Sequence, residues 1–367
     1  MDAKEAMAGV RQNERRMNPA DRTFVGVQAL RGLAAMLVVL YHATQMVRER
    51  FGIGEVLTFG AAGVDLFFPI SGFVMVVTTY HYWGQAGRAG QFLLRRLVRV
   101  VPLYWAATLL KIAALLLVPA MASHPHLDPW HVAASFLFIP AWDVHGRAQP
   151  VVPIGWTLNF EMLFYALFAL ALWLRLRPLW WVGGFLAVFS FLPLHPLLGA
   201  VGTLASPILL EFVAGMFIGW ATLKGHHLPK GVAAACLAAA LIALPLTQLV
   251  PSGDAYAWRW WLWGIPGALA LAATVALEPV LRARLSGVPE RLGDASYAIY
   301  LAHGFVLPPL GIVMGKLQLT TGVWPMATIV LACVLSAVTG WFVHLWVEKP
   351  LTQRLNGWVQ TRQAAVA

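Results

Sequence analysis

The stretch FVGVQALRGLAAMLVVLYHATQM, residues 24–46, decides how the chain must fold. It is long enough to cross a lipid bilayer as one helix, which takes about 20 apolar residues. Yet it carries two ionisable side chains, Arg31 and His42. On a helix these two side chains share one face, about 16 Å apart along the axis. A charge at the centre of a span costs about 2.5–3.5 kcal/mol, so such residues usually mark a functional site.

A plainer explanation exists for each of these residues alone. Arg31 can extend its long side chain to the cytoplasmic headgroups, and His42 can simply hydrogen-bond a neighbouring helix. Their position on one face favours a shared function over this alternative.

The rest of the chain has the composition of a membrane protein. Of its 367 residues, 59% are hydrophobic and only 11% are charged, which is too apolar for a soluble domain. We therefore predict an all-α fold of about ten transmembrane helices in one bundle. The predicted spans are residues 24–46, 60–82, 99–121, 155–174, 179–199, 205–223, 231–250, 259–277, 295–315 and 323–347.

Two further features concern the edges of these spans. The apolar piece 131–142 is too short to cross, so we predict a re-entrant or interfacial segment on the outside. The run Glu348-Lys349-Pro350 is expected to end the last span, because proline interrupts a helix.

The net charge of +10 follows from topology and does not indicate nucleic-acid binding. About 19 of the 26 Lys and Arg residues fall in alternate connecting segments, on the same side as the N-terminus. Short cytoplasmic loops are rich in Lys and Arg, so we expect both termini in the cytoplasm and the bundle in the inner (plasma) membrane. The predicted parts are a basic segment (1–23), the transmembrane domain (24–347) and a tail (348–367).

Two carboxylates are predicted at a depth similar to that of His42. Asp65 lies near the outer end of the second predicted span, and Glu161 lies in the outer third of the fourth. A carboxylate within hydrogen-bond reach of an imidazole orients the ring and raises its basicity, which is how a general base is assembled. The alternative is that both carboxylates only cap or join helices.

A pair of arginines is predicted at the opposite, cytoplasmic end. Arg96 and Arg99, in GQFLLRRLVRVVPLYW (90–105), are three residues apart at the start of the third predicted span. Guanidinium groups bind oxyanions through two parallel hydrogen bonds, which suits a phosphate-rich ligand. These charges would also be present if they served only to set the topology.

These stretches, taken together, resemble the acyltransferase 3 family of integral-membrane acyltransferases over nearly the whole chain. The similarity is closest to the branch that acylates bacterial exopolysaccharides. The matching stretches are the Arg31-x10-His42 pair, FGAAGVDLFFPISGF (59–73), the Arg96-x2-Arg99 pair before VPLYW (101–105), GWTLNFEMLFYAL (155–167), SYAIYLAHGF (296–305) and VEKPL (347–351).

The resemblance implies acyl-CoA, usually acetyl-CoA, as donor and an extracytoplasmic glycan hydroxyl as acceptor. It also implies that five residues are functional, namely Arg31, His42, Arg96, Arg99 and Glu161. The same motifs contain three secondary candidates, which are Ser71, Tyr300 and His303. A single histidine in the middle of a span is more often a packing residue than a catalyst.

We therefore predict a membrane O-acyltransferase with no metal. In it, His42 is the general base or a transient acyl carrier, oriented by Glu161 and Asp65. Arg31 stabilises the thioester oxyanion or the CoA arm. The partners are the bilayer, the glycan acceptor and the proteins of polysaccharide synthesis or export. The alternatives are a proton-coupled secondary transporter and a non-catalytic subunit of an export assembly.

Overall fold

The computed structural model describes residues 24–117 and 128–366. Within these ranges the chain is helical, and its one β-type pairing is an isolated bridge between Trp142 and Ala148. The predicted basic segment 1–23 and the end of the third predicted span, 118–121, lie outside the described residues.

Sixteen α-helices, interrupted by short 3-10 and π turns, form the described part of the chain. They are α1 (Val25–Phe51), α2 (Gly63–Thr79), α3 (Arg88–Leu117), α4 (Pro129–Phe136), α5 (Trp156–Trp173), α6 (Pro178–Phe189), α7 (His195–Leu198), α8 (Leu209–Leu223), α9 (Lys230–Leu246), α10 (Ser252–Ala257), α11 (Ile265–Ala276), α12 (Glu278–Leu285), α13 (Val288–Asp294), α14 (Ser296–Lys316), α15 (Trp324–Val343) and α16 (Lys349–Val366).

The all-α membrane fold is confirmed, with fewer spans than the ten predicted. Seven helical segments among residues 24–117 and 128–366 are long and apolar enough to cross a bilayer, and two bent pairs raise the number to nine. The predicted span 179–199 is the one that fails. It contains α6, whose 12 residues cover only about 18 Å, and Pro193 and Pro196 follow before a full crossing is reached.

The structure agrees with the prediction for the piece 131–142 but not with the prediction for the end of the last helix. The piece 131–142 contains only the end of α4, a helix of eight residues, so it is too short to cross, as predicted. The last span does not end at Glu348-Lys349-Pro350. Its helix continues through a π turn, His344–Glu348, into α16. Pro350 follows directly after this π turn, where the regular hydrogen-bond pattern of the α-helix is already interrupted, so its missing N–H is tolerated.

Helix α1 is the centre of the bundle and packs against α2, α13, α14 and α15. Its N-terminus has no local side-chain cap. Instead, the backbone N–H groups of Val25 and Gly26 donate to the Glu278 carboxylate, at 2.7 and 2.9 Å. A carboxylate there satisfies two free N–H groups and complements the helix dipole. Glu278 therefore fixes the position of the helix that carries Arg31 and His42.

Helices α2 and α8 approach each other closely through glycines. A Cβ atom on Gly72 would overlap the Phe212 carbonyl oxygen, and one on Gly215 would overlap the Pro69 carbonyl oxygen. Small residues allow such contact between membrane helices. The contact sets the rotation of α2 about its axis, so that Ser71 reaches α5 through a hydrogen bond to Glu161.

Candidate active site

An elongated cavity of about 360 Å³ lies between α1, α2, α3, α5 and α14. We call it the arginine cavity. Its walls are mostly apolar, but polar side chains from all five helices enter it. These polar residues are Gln28, Arg31, Ser71, Thr78, Arg96, Arg99, Thr157, Glu161, Tyr165, Ser296, Tyr297 and Tyr300.

One end of the cavity is strongly cationic. The Arg31 Nη1 atom donates to Gln28 Oε1 at 2.8 Å, and the Arg96 Nη2 atom donates to Thr78 Oγ1 at 2.9 Å. Among the described residues, no carboxylate forms a salt bridge with Arg31, Arg96 or Arg99. Their charges are therefore available to a ligand, and guanidinium groups bind phosphates especially well. All three arginines line the cavity, and Arg96 and Arg99 lie two to three turns inside α3 and not at its start as predicted.

Glu161 lies in the same cavity as the arginines. Ser71 Oγ donates to its Oε1 atom at 3.2 Å, and the Tyr165 hydroxyl donates to the same oxygen in a shorter contact. These two donors hold the carboxylate on the wall of the cavity, where it attracts the charges of Arg31 and Arg96. Ser71, a secondary candidate from the sequence, is therefore a direct partner of Glu161.

His42 lies beside a second imidazole and not beside a carboxylate. Its ring is 5.0 Å from that of His303, centroid to centroid. The Nδ1 atom of His42 lies 2.9 Å from the Val38 carbonyl oxygen. Because a carbonyl oxygen can only accept, Nδ1 carries the proton of the neutral ring. The Nε2 atom is left free to accept a proton, as a general base requires.

The imidazole pair lies just beyond one end of the arginine cavity. Tyr300 lines that end, and its ring is 6.0 Å from the ring of His303, one helical turn further along α14. The Tyr300 hydroxyl donates to the Ile154 carbonyl at 2.7 Å and lies 2.9 Å from Thr157 Oγ1. His303 is 1% exposed, and neither of its ring nitrogens has a hydrogen-bond partner among the described residues. Of the two remaining secondary candidates, His303 thus lies beside His42 and Tyr300 lies beside His303.

The expectation that Asp65 and Glu161 orient His42 is not met in this geometry. Both Asp65 oxygens accept hydrogen bonds from Arg259, each at 2.7 Å, and Asp65 is fully buried. Glu161 faces Ser71 and Tyr165. The reason is the rotation of each helix about its own axis. Helix α1 points His42 towards α14, whereas α2 points Asp65 towards Arg259 and α5 points Glu161 towards Ser71.

Arg259 is a site residue that the sequence analysis did not single out. Its guanidinium lies 5.7 Å from the Trp156 ring and 5.2 Å from the Trp263 ring, besides pairing with Asp65. In the sequence, Arg259 stands among tryptophans that resemble an interfacial belt, namely Trp258, Trp260, Trp261 and Trp263. The sequence therefore contains no indication that Arg259 pairs with Asp65. Glu211 was also missed. It is fully buried near this pair, and neither carboxyl oxygen has a hydrogen-bond partner among the described residues.

Comparison with known proteins gives a family and several relatives. A family model described as an acyltransferase domain matches residues 24–346. The exopolysaccharide production protein ExoZ of Rhizobium meliloti (strain 1021) is 35% identical over 86% of this chain and 95% of its own length. The acyltransferase MdmB of Streptomyces mycarofaciens is 27% identical over 89% of this chain and 91% of its own length. No solved structure matches the chain significantly.

Proposed function

The chain belongs to the acyltransferase family whose domain model covers residues 24–346, and from that premise we propose a specific reaction. The protein, a multi-pass membrane acyltransferase, moves an acyl group from cytoplasmic acyl-CoA to a hydroxyl of an exported polysaccharide or its lipid-linked precursor. The donor is usually acetyl-CoA in the family that the motifs resemble. One of the relatives is named as an exopolysaccharide production protein, which supports a polysaccharide acceptor.

The observation that supports the proposal is the arginine cavity, which contains three arginines and is lined by Tyr300, the neighbour of the imidazole pair. Arg31, Arg96 and Arg99 would bind the phosphates of CoA at the cytoplasmic end. Along α1, Arg31 and His42 are separated by about 16 Å, a distance that the thin thioester arm of the donor spans. The charged part of the donor would then lie among the arginines, and its reactive carbon would approach the imidazole pair beyond Tyr300.

In the proposed reaction His42 Nε2 removes the proton from the acceptor hydroxyl as its oxygen attacks the thioester carbonyl carbon. The carbon–sulfur bond then breaks, and the imidazolium returns its proton to the CoA thiolate. In the carrier version, Nε2 attacks the thioester carbonyl carbon, the carbon–sulfur bond breaks and CoA leaves as its thiolate. The acceptor hydroxyl then attacks the acyl carbon, the carbon–nitrogen bond breaks, and the hydroxyl proton passes to the CoA thiolate. The Val38 carbonyl fixes the tautomer that either version needs.

The roles of the other candidates change with the geometry. Glu161 becomes a positioning residue, because its carboxylate attracts the Arg31 and Arg96 guanidinium groups and offsets the repulsion that Arg99 exerts on both. Asp65 becomes a structural residue that pairs with Arg259.

Acyl transfer by the purified full-length protein in detergent tests this mechanism. A general base contributes about 10²- to 10⁴-fold, so His42→Ala should lose about that factor in kcat. His226→Ala, which changes an exposed histidine far from the site, is the matched control. Near wild-type turnover in His42→Ala would exclude the mechanism. An acyl group trapped on wild-type His42 would select the carrier version.

Glu161→Gln separates the revised role from the one predicted by sequence. If Glu161 positions the arginines, the variant should change the KM for acyl-CoA and leave the pH dependence of kcat unchanged. A shift in the pH profile towards that of a weaker imidazole base would show that Glu161 acts on His42 after all.

Thiol labelling tests the orientation of the site. A cysteine replacing exposed Arg88 should be protected from an impermeant reagent added outside intact cells, and one replacing Arg147 should react. The opposite pattern would place the arginine end of the cavity outside the cytoplasm and exclude cytoplasmic acyl-CoA as the donor.

A further inference from the structure

A second cavity, of about 210 Å³, lies next to the first turns of α5. The loop before α5, the first turns of α5 and the 3-10 turn Gly199–Leu204 enclose it. Its walls include Ala148, Trp156, Asn159 and Thr203. We call it the Asn159 cavity.

The first turns of α5 form a wall between the two cavities. Thr157 and Glu161 line the arginine cavity, whereas Trp156 and Asn159 line the Asn159 cavity. The turn that precedes α5 reaches Tyr300, whose ring lies next to that of His303, because the Ile154 carbonyl accepts the hydrogen bond of Tyr300. The Asn159 cavity therefore lies at the same end of the bundle as His42, which is where an acceptor from outside would arrive.

Asn159 is the feature that points to a ligand. The residue is only 4% exposed, yet its side-chain amide has no hydrogen bond to any described residue. The hydroxyl of Thr203, by contrast, donates to the Ala200 carbonyl at 2.6 Å. A buried polar group without a partner costs about 1–3 kcal/mol. The Asn159 amide, which can donate two hydrogen bonds and accept two, lines the cavity.

The side chains that line the cavity indicate which kind of ligand it can bind. None of the side chains that line the cavity is charged, which excludes an ionic group as the preferred ligand. The indole of Trp156 offers an apolar surface next to the amide, and Trp142, 42% exposed, pairs with Ala148 at the edge. A volume below the 300–1,000 Å³ of ordinary ligand pockets fits a single small ring. A neutral sugar matches both the amide and the indole. Its hydroxyls donate hydrogen bonds to the amide and accept them from it, and its ring C–H groups pack on the indole.

We propose that the Asn159 cavity binds one neutral sugar unit of the acceptor and so positions the glycan whose hydroxyl reaches His42. This inference rests on the proposed function and names its acceptor site.

Binding of methyl glycosides to the full-length protein in detergent tests the site without acyl transfer. The probes are methyl β-D-glucopyranoside, methyl β-D-galactopyranoside and the charged methyl β-D-glucuronide, followed by saturation-transfer NMR. We expect wild type to bind at least one neutral glycoside and to bind the glucuronide at least 10-fold more weakly. Asn159→Ala should weaken the neutral glycoside at least 10-fold. The matched control Asn356→Ala changes an asparagine in α16 and should bind as wild type does.

Acetyl-CoA binding to each variant shows whether it is folded. Ala148→Trp is a second variant, on a loop, that fills the cavity without changing a helix, and it should abolish glycoside binding while acetyl-CoA binding remains. The inference is overturned if wild type binds no neutral glycoside, if it binds the glucuronide equally well, or if both variants bind as wild type does. Transfer with a normal acceptor KM in Asn159→Ala would reject the site but keep the proposed function. If glycoside binding depends on Asn159 but the protein has no transferase activity, the sugar site is kept and the proposed function is rejected.

Discussion

Replacing Arg99 with glutamine should weaken acyl-CoA binding without weakening the fold. Arg99 lines the arginine cavity, and among the described residues no carboxylate forms a salt bridge with it. Its charge repels the charges of Arg31 and Arg96. Removing one of three like charges relieves that repulsion, so the free energy of unfolding should stay the same or rise slightly. A residue that served only to hold the fold would give the opposite result.

The expected loss of binding follows from the bond that Arg99 would make. A hydrogen bond to a charged group contributes about 1.5–3 kcal/mol, which corresponds to a Kd for acyl-CoA about 10- to 150-fold higher. Arg96 differs because it already donates to Thr78 at 2.9 Å. Arg96→Gln should therefore weaken binding by a similar factor and lower stability as well.

Equilibrium binding of radiolabelled acetyl-CoA at two salt concentrations measures this effect. The variant should depend less on salt than wild type, because it makes one ionic contact fewer. Arg147→Gln, which removes a half-exposed charge outside the cavity, should leave the Kd unchanged. A Kd for Arg99→Gln within twofold of wild type would refute the reasoning, as would an unfolding midpoint that falls as far as that of Arg96→Gln.

Two further predictions concern stability. Asp65→Asn should lower the free energy of unfolding in detergent by about 3–5 kcal/mol, because it leaves the Arg259 charge buried without its partner. Glu211→Gln should change the free energy of unfolding little, because the Glu211 carboxyl accepts no hydrogen bond from a described residue. A decrease as large as that caused by Asp65→Asn would contradict this prediction. In the loop between α4 and α5, partial burial raises the pKa of Asp143, but backbone N–H groups and the Arg147 guanidinium outweigh it and hold that pKa below its ordinary value. Asp143 therefore stabilises the loop above pH 4 and loses this effect as the pH falls through its folded pKa. Asp143→Asn should therefore raise the rate of amide hydrogen exchange in this loop, and the difference from wild type should shrink as the pH approaches 2. A difference that does not change with pH would show that ionised Asp143 does not stabilise the loop.

The parts of the fold that sequence predicts well are those governed by length and hydropathy. Residues 24–46 and 295–315 correspond closely to α1 and α14. Each such helix must hide its own backbone from lipid, a local requirement that the sequence displays directly. The failure at 179–199 has a local cause too, since the prolines after α6 interrupt a run that is otherwise apolar enough.

The parts of the site that sequence predicts less well depend on how each helix is rotated in the bundle. Depth along a helix follows from counting residues, which pairs Arg96 with Arg99 but does not reveal that Arg31 lines the same cavity. Rotation depends on tertiary contacts such as that of Gly72 with Phe212, which no local pattern reveals. For this reason His42 is found beside His303 and not beside Glu161.

The Asp65–Arg259 pair joins residues 194 positions apart, and this separation is also a delay during biosynthesis. At about 5–20 residues per second, Arg259 emerges from the ribosome roughly 10 to 40 seconds after Asp65. Throughout that interval the second span holds a carboxyl group whose partner has not been made. The early helices must wait in the translocon or the membrane, loosely placed, until the segment with Arg259 and Glu278 joins them. A ribosome that stalls before residue 259 therefore leaves an inserted but unfinished protein, a ready target for the proteases of membrane quality control.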